Sequence, residues 1–133
     1  MLDQDSVLTF MTAYAEAFHS FEPQRVAPFY AFPLTMANND GVQVISNPEA
    51  LAGAVAGVKQ LLDANGYARS DPPLFSVRLL DARLALVGSE WRRLDGQGDA
   101  IQHFGTTYLL HAGETGWKIR SAVLHRPEAM REL

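Results

Sequence analysis

Between Asp5 and Phe21 the apolar residues Val7, Phe10, Met11, Tyr14, Phe18 and Phe21 recur at three- and four-residue steps, which lays them along one stripe of a helix. Such a helix has about four turns, and Ala13, Ala15 and Ala17 favour it. Glu22-Pro23 ends the pattern. Pro23 suits the first turn of a short second helix carrying Val26, Phe29 and Tyr30, which Pro28 and Pro33 keep short. Two apolar runs, Leu34 to Ala37 and Val42 to Ser46, then flank Asn38-Asn39-Asp40-Gly41, where Asp-Gly signals a tight hairpin. Asn47-Pro48-Glu49 opens a third helix: the Asn side chain accepts from orphan amides, Pro fits the first position and Glu favours the positive end. Leu51, Ala54, Val55, Val58, Leu61 and Leu62 form its stripe, and Asn65-Gly66 supplies a left-handed stop.

The pattern then changes period. Leu74 to Leu80, Leu84 to Arg93 and two arms within Ile101 to His125 read as four strands, with Asp81-Ala82-Arg83, Asp95-Gly96-Gln97-Gly98 and Ala112 to Gly116 as connections. On the last arm Trp117, Ile119, Ser121, Val123 and His125 are expected on one face, with Lys118, Arg120, Ala122 and Leu124 on the other. The preceding arm is mixed on both faces, as in a sheet covered by helices on one side and a partner on the other. A homodimer through the outer sheet face is the expected source of that cover. Helices gathered on one face of such a sheet make an α+β domain. The expectation is a cone of three helices packed in a strongly curved antiparallel sheet, in the order α-α-β-β-α-β-β-β-β, with a ligand pocket at its apolar mouth.

Composition narrows the reading. The chain of 133 residues, 47% hydrophobic, suits one domain spanning residues 1–133. A formal charge of −4 with scattered cations argues against nucleic acid, and Arg92-Arg93, like Lys118 and Arg120, reads as a solvated strand edge. No cysteine is present, which removes disulfides, thiolate nucleophiles and cysteine zinc sites. The acidic start and the amphipathic run after it resemble neither a signal peptide nor a membrane span, so a cytoplasmic location and no membrane partner are expected.

Tyr14-Ala-Glu-Ala-Phe-His19, Pro28-Phe29-Tyr30, Asn47-Pro48-Glu49, Ala85 to Trp91 and Gly116-Trp-Lys-Ile119, in that order, resemble the nuclear transport factor 2-like superfamily, in its SnoaL-like and ketosteroid-isomerase-like branch. The resemblance covers nearly the whole chain and implies the cone-shaped, cystatin-like fold. It does not imply one activity, because the superfamily holds isomerases, cyclases, hydrolases, dehydratase-like proteins and binding domains without chemistry. In the isomerases a helix tyrosine stabilises an oxyanion, an early carboxylate is the base and a late protonated acid assists. The resemblance puts Tyr14 at the first position. Asn38 falls at the second, and Gln102 or the neighbourhood of Leu109 at the third, and none of these is an acid.

The candidate ligand-binding residues are therefore Tyr14, Phe18, Tyr30, Phe32, Met36, Asn38, Trp91, His103 and Tyr108, around a small lipophilic or aromatic molecule. Each has a plainer role open to it: core filler for the aromatics, turn chemistry for Asn38, a satisfied interior site for His103. The catalytic candidates are His103 and Glu90 as proton carriers with Tyr14 steadying negative charge. If Glu90 faces outward it is instead a partner for Arg92 or Arg78. His19 and His111 read as surface residues, and His125 as a cap on the last strand. The histidines lack the spacing of a metal site, and neither metal nor cofactor is expected. Three functions stay open: a small-molecule-binding domain, an isomerase, cyclase or hydratase in the same fold, and an interaction module without a ligand.

Overall fold

A computed structural model describes residues 3–129. The first helix, α1 (Gln4–His19), is fixed at its start by reciprocal capping: Asp3 accepts from the Ser6 amide at 2.9 Å, and the Asp3 amide donates to Ser6 Oγ at 3.0 Å. Val7, Met11, Tyr14, Ala15 and Ala17 form its buried stripe. The second helix, α2 (Pro23–Val26), passes into a 3₁₀ turn at Ala27–Phe29 and then into β1 (Tyr30–Asn38). The hairpin forms as its turn chemistry requires, with β2 (Gly41–Ile45) antiparallel to β1 and the Asn38 side chain accepting from the Asp40 amide. The third helix, α3 (Pro48–Ala64), starts where Asn47 accepts from the Ala50 amide at 2.9 Å and stops before Gly66 at φ +74°. Its buried contacts are Leu51, Val55 and Leu62. Ala54 and Leu61 of the expected stripe are exposed.

Five strands follow, one more than expected: β3 (Tyr67–Ser70), β4 (Leu74–Asp81), β5 (Leu84–Asp95), β6 (Ala100–Gly113) and β7 (Gly116–His125). Both β3 and β4 lie along the same edge of β5, one opposite its end and the other opposite its start. Pro72 and Pro73, which have no amide to donate, separate them. The sheet order is β2-β1-β7-β6-β5-β3, with β4 also on β5. All neighbours are antiparallel except β1 and β7, which are parallel, so the sheet is mixed rather than wholly antiparallel. That pairing joins the first strand to the last and seats the opening hairpin beside the closing one.

The core lies between α1, α3 and the inner sheet face, with Met11, Leu34, Val55, Val87, Leu110 and Ile119 fully buried. Trp117 Nε1 donates to Ser6 Oγ at 3.0 Å, which ties β7 to the start of α1. The faces of β7 differ from the strict alternation expected. The pairing shifts register between Leu109↔Ser121 and Leu110↔Ile119, leaving Arg120 as an extra residue. Trp117 and Ile119 point inward, and beyond the bulge it is Ala122 and Leu124 that join them, while Ser121, Val123 and His125 turn outward. Among the described residues no helix is long and apolar enough to cross a membrane.

Candidate functional site

Strands β5 and β6 run opposite each other with Val87↔Tyr108, Ser89↔Thr106, Trp91↔Phe104 and Arg93↔Gln102 as partners. Residues spaced by two share a face, and burial shows that Ala85, Val87, Ser89, Trp91 and Arg93 make up the inner row of β5. Trp91 and Arg93 of this row, with residues of α1, β1, α3, β6 and β7, line an open-mouthed cavity of about 510 Å³. Its walls include Tyr14 and Phe18 from α1, Tyr30 and Met36 from β1, Val58 from α3, Trp91 and Arg93 from β5, Phe104, Thr106 and Tyr108 from β6, and Ala122 and Leu124 from β7.

Tyr14 is the hub of the aromatic wall. Its ring lies 5.7 Å from Tyr30, 5.6 Å from Tyr108 and 6.3 Å from Trp91, each edge to face. Its hydroxyl is 2.5 Å from that of Tyr30. Burial pushes the pKa of all three phenols above the ordinary value, with mutual repulsion of their ionised forms adding to the effect. At neutral pH they are protonated donors. The one link among the three hydroxyls uses one hydrogen, and the other two are available to Ser89 or to an acceptor in the cavity. Ser89 is itself committed: its hydroxyl donates to the Thr106 carbonyl at 2.6 Å and accepts from Trp91 Nε1 at 2.8 Å.

Arg93 is the feature that residue-type reasoning missed. Expected at a solvated strand edge, it is 3% exposed because its position on β5 is two residues beyond Trp91, on the inner row. Its guanidinium carbon sits 5.2 Å from the centre of the Phe18 ring, 5.3 Å from Phe104 and 5.7 Å from Trp91, a cage of three aromatic faces. Nη1 donates to Gln102 Oε1 at 2.7 Å, and Nε is buried with no hydrogen-bond partner. Burial pulls its pKa down; the groups that oppose this are the phenols of Tyr108, Tyr14 and Tyr67, none of them a carboxylate. A two-residue count from Ala85 would have located it.

The other candidates separate into those the fold gathers and those it does not. Tyr14, Phe18, Tyr30, Met36, Trp91 and Tyr108 line the cavity. His103 contributes to its rim, but it pairs with Arg92 on the outer row, and its Nε2 lies 2.7 Å from Glu90 Oε2. His103 and Glu90 thus sit on the face of the sheet opposite Tyr14. Phe32 packs on the core beside Tyr30, at 6.3 Å between rings, and is not part of the cavity wall. Asn38 lines a separate hollow of about 310 Å³ with Asp40 and Gln43. His19 is not the surface residue expected: it lies edge to face with Trp91 at 5.6 Å, its Nε2 is buried without a partner, and burial with the nearby Arg93 charge lowers its pKa. Among the described residues no cluster of acids and histidines could hold a metal.

A mixed sheet wrapped on three helices, with a cavity at the open end, defines a cone-shaped α+β fold of the cystatin-like class. Residues 4–127 match the NTF2-like protein family DUF6841, and the chain belongs to that family. It resembles a domain of unknown function with a cystatin-like fold from Nostoc punctiforme, at TM-score 0.73 and 18% identity over 98% of this chain and 80% of that one. An NTF2-like protein with a cystatin-like fold from Novosphingobium aromaticivorans gives 0.71 and 15%, covering 98% and 85%. A ketosteroid isomerase-like protein from Erwinia carotovora atroseptica gives 0.66 and 15%, covering 90% and 92%. No curated protein matches the chain. At these identities the likeness shows the fold alone.

Proposed function

We propose that the chain is a small-molecule-binding domain that takes a compact ligand with an aromatic or lipophilic body into the cavity between β5, β6 and α1. The observation that carries this reading is the wall itself: about 510 Å³ of space bounded by the rings of Tyr14, Phe18, Tyr30, Trp91, Phe104 and Tyr108, with a few polar groups converging on it. Binding is favoured over proton-transfer chemistry. Asn38 and Gln102, at the positions where an isomerase would place its carboxylic groups, are amides; Asn38 lies outside the cavity and Gln102 is engaged by Arg93. His103 and Glu90 pair on the opposite face. The test is quenching of Trp91 fluorescence by naphthalene-based probes, with Trp91→Phe to assign the signal. Saturable micromolar binding that Ala122→Leu weakens about tenfold, by filling space worth roughly one ligand contact, supports the reading. Quenching that Ala122→Leu leaves unchanged contradicts it.

The same reading includes a homodimer through the outer sheet face, supported by Leu84 and Val123, both more than a third exposed on the sheet's outer side. Sedimentation equilibrium at micromolar concentration is expected to give a dimer that Val123→Asp dissociates; a monomer contradicts the pairing.

A further inference from the structure

Resting on the cavity reading above, we infer that the ligand carries a carboxylate, and that Arg93 is the residue that receives it. A buried guanidinium is costly unless paired. The three aromatic faces around Arg93 and the bond to Gln102 supply part of what it loses from water, yet among the described residues Nε has no partner and no acid approaches it. Among the described residues the cavity wall holds no aspartate or glutamate. The ionisable side chains that line it are Arg93, the phenols of Tyr14, Tyr30 and Tyr108 and, at the rim, His103. Around Arg93 the wall therefore presents donors and positive charge, and among the described residues the nearest carboxylate at the rim, that of Glu90, is held by His103.

A monoanionic group matches that imbalance in both charge and shape. The planar fork of arginine binds carboxylate oxygens in pairs, and Nε is one of the two donors such an approach uses. The phenol cluster of Tyr14, Tyr30 and Tyr108 lines the same cavity and can add a neutral hydrogen bond. One guanidinium with no second cation beside it suits a single negative charge better than a phosphate dianion. The aromatic faces that hold Arg93 would continue along the body of the ligand, which points to an aryl carboxylate in preference to a short aliphatic acid.

The experiment compares 2-naphthoate with its neutral isostere 2-naphthamide on the full chain, by Trp91 quenching and by calorimetry. Naphthoate is expected to bind at least about tenfold more tightly, the scale of a charged hydrogen bond. Arg93→Met, which keeps the volume and removes the charge, is expected to equalise the two probes, and Arg93→Lys to restore only part of the preference. Equal binding of both probes to the wild type leaves the cavity reading intact and overturns the assignment of the carboxylate. A preference for naphthoate that survives Arg93→Met overturns the role of Arg93. If neither probe binds, the cavity reading fails and this inference fails with it. The wild-type comparison needs no variant, so a poorly folded Arg93→Met protein leaves the test decisive.

Discussion

Strands β5 and β6 carry polar pairs on both faces: Arg93 with Gln102 inside the cone, and Glu90 with His103 outside it. The inner pair is caged by Phe18, Trp91 and Phe104, and its cation has an unused donor. In the outer pair the His103 side chain is 38% exposed and meets solvent, while that of Glu90, at 13%, lies largely beneath it. Residue chemistry alone favours the outer pair as the working one, since histidine and glutamate exchange protons near neutral pH while arginine does not. The faces reverse that order. A group acts on a ligand only if its strand position turns it toward the ligand, and one step along β5 separates a solvated arginine, Arg92, from a buried one.

The contrast can be broken most forcefully through packing. Leu110 is fully buried on the inner face, whereas Leu84 on the outer side is more than a third exposed. Leu110→Ala is expected to cost ~2–5 kcal/mol in urea unfolding and Leu84→Ala less than about 1 kcal/mol. Comparable losses would mean that the outer face is a second core. Next in size is the adjacent pair Arg93 and Arg92. Replacing even a buried ion pair by apolar side chains of similar volume is often neutral or stabilising by ~1–4 kcal/mol, and a cation without an acid partner has less attraction to lose. Arg93→Met should therefore hold or raise the melting temperature while abolishing the preference for an anionic probe. Arg92→Ala should change neither, and a clear loss of stability in Arg93→Met would mark Arg93 as a structural residue.

The phenols sharpen the comparison through pH. Their folded-state pKa values lie above the ordinary value of 10, so the native state keeps protons that the unfolded chain releases. Their contribution to stability is fully present below pH 10 and is lost as the pH rises past it. Absorbance at 295 nm is expected to show the three phenols silent through pH 10 and titrating together with unfolding at higher pH; free titration of all the tyrosines near pH 10 would show the cluster open to water. The smallest effect belongs outside. Glu90→Gln or His103→Ala should shift stability by less than about 1 kcal/mol and leave cavity binding unchanged, and a tenfold loss of probe affinity in either would move the site to the outer face.

Much of the fold was legible in local pattern. The start of α3 at Asn47-Pro48, the Asp40-Gly41 hairpin and the stripe of α1 follow from capping, turn and periodicity rules that act within a few residues. What local pattern does not encode is pairing across the chain. The parallel contact of β1 with β7 links positions some ninety residues apart, and β3 exists because β5 is long enough to hold two short partners on one edge. The site divides the same way. Tyr14, Phe18, Trp91 and Tyr108 announce themselves as apolar inner-face residues. Arg93 does not, because its charge suggests solvent while its strand position dictates burial. The bulge at Arg120 reassigns Ala122 and Leu124 to the cavity for a comparable reason: one extra residue inverts every face beyond it.

The most direct measurement is a crystal structure of the complex with 2-naphthoate. The account predicts the naphthyl ring inside the cone against Tyr14 and Trp91, with its carboxylate within hydrogen-bond reach of the Arg93 guanidinium. Density for the probe on the outer face beside His103 and Glu90, or a carboxylate turned away from Arg93 toward solvent, would contradict it.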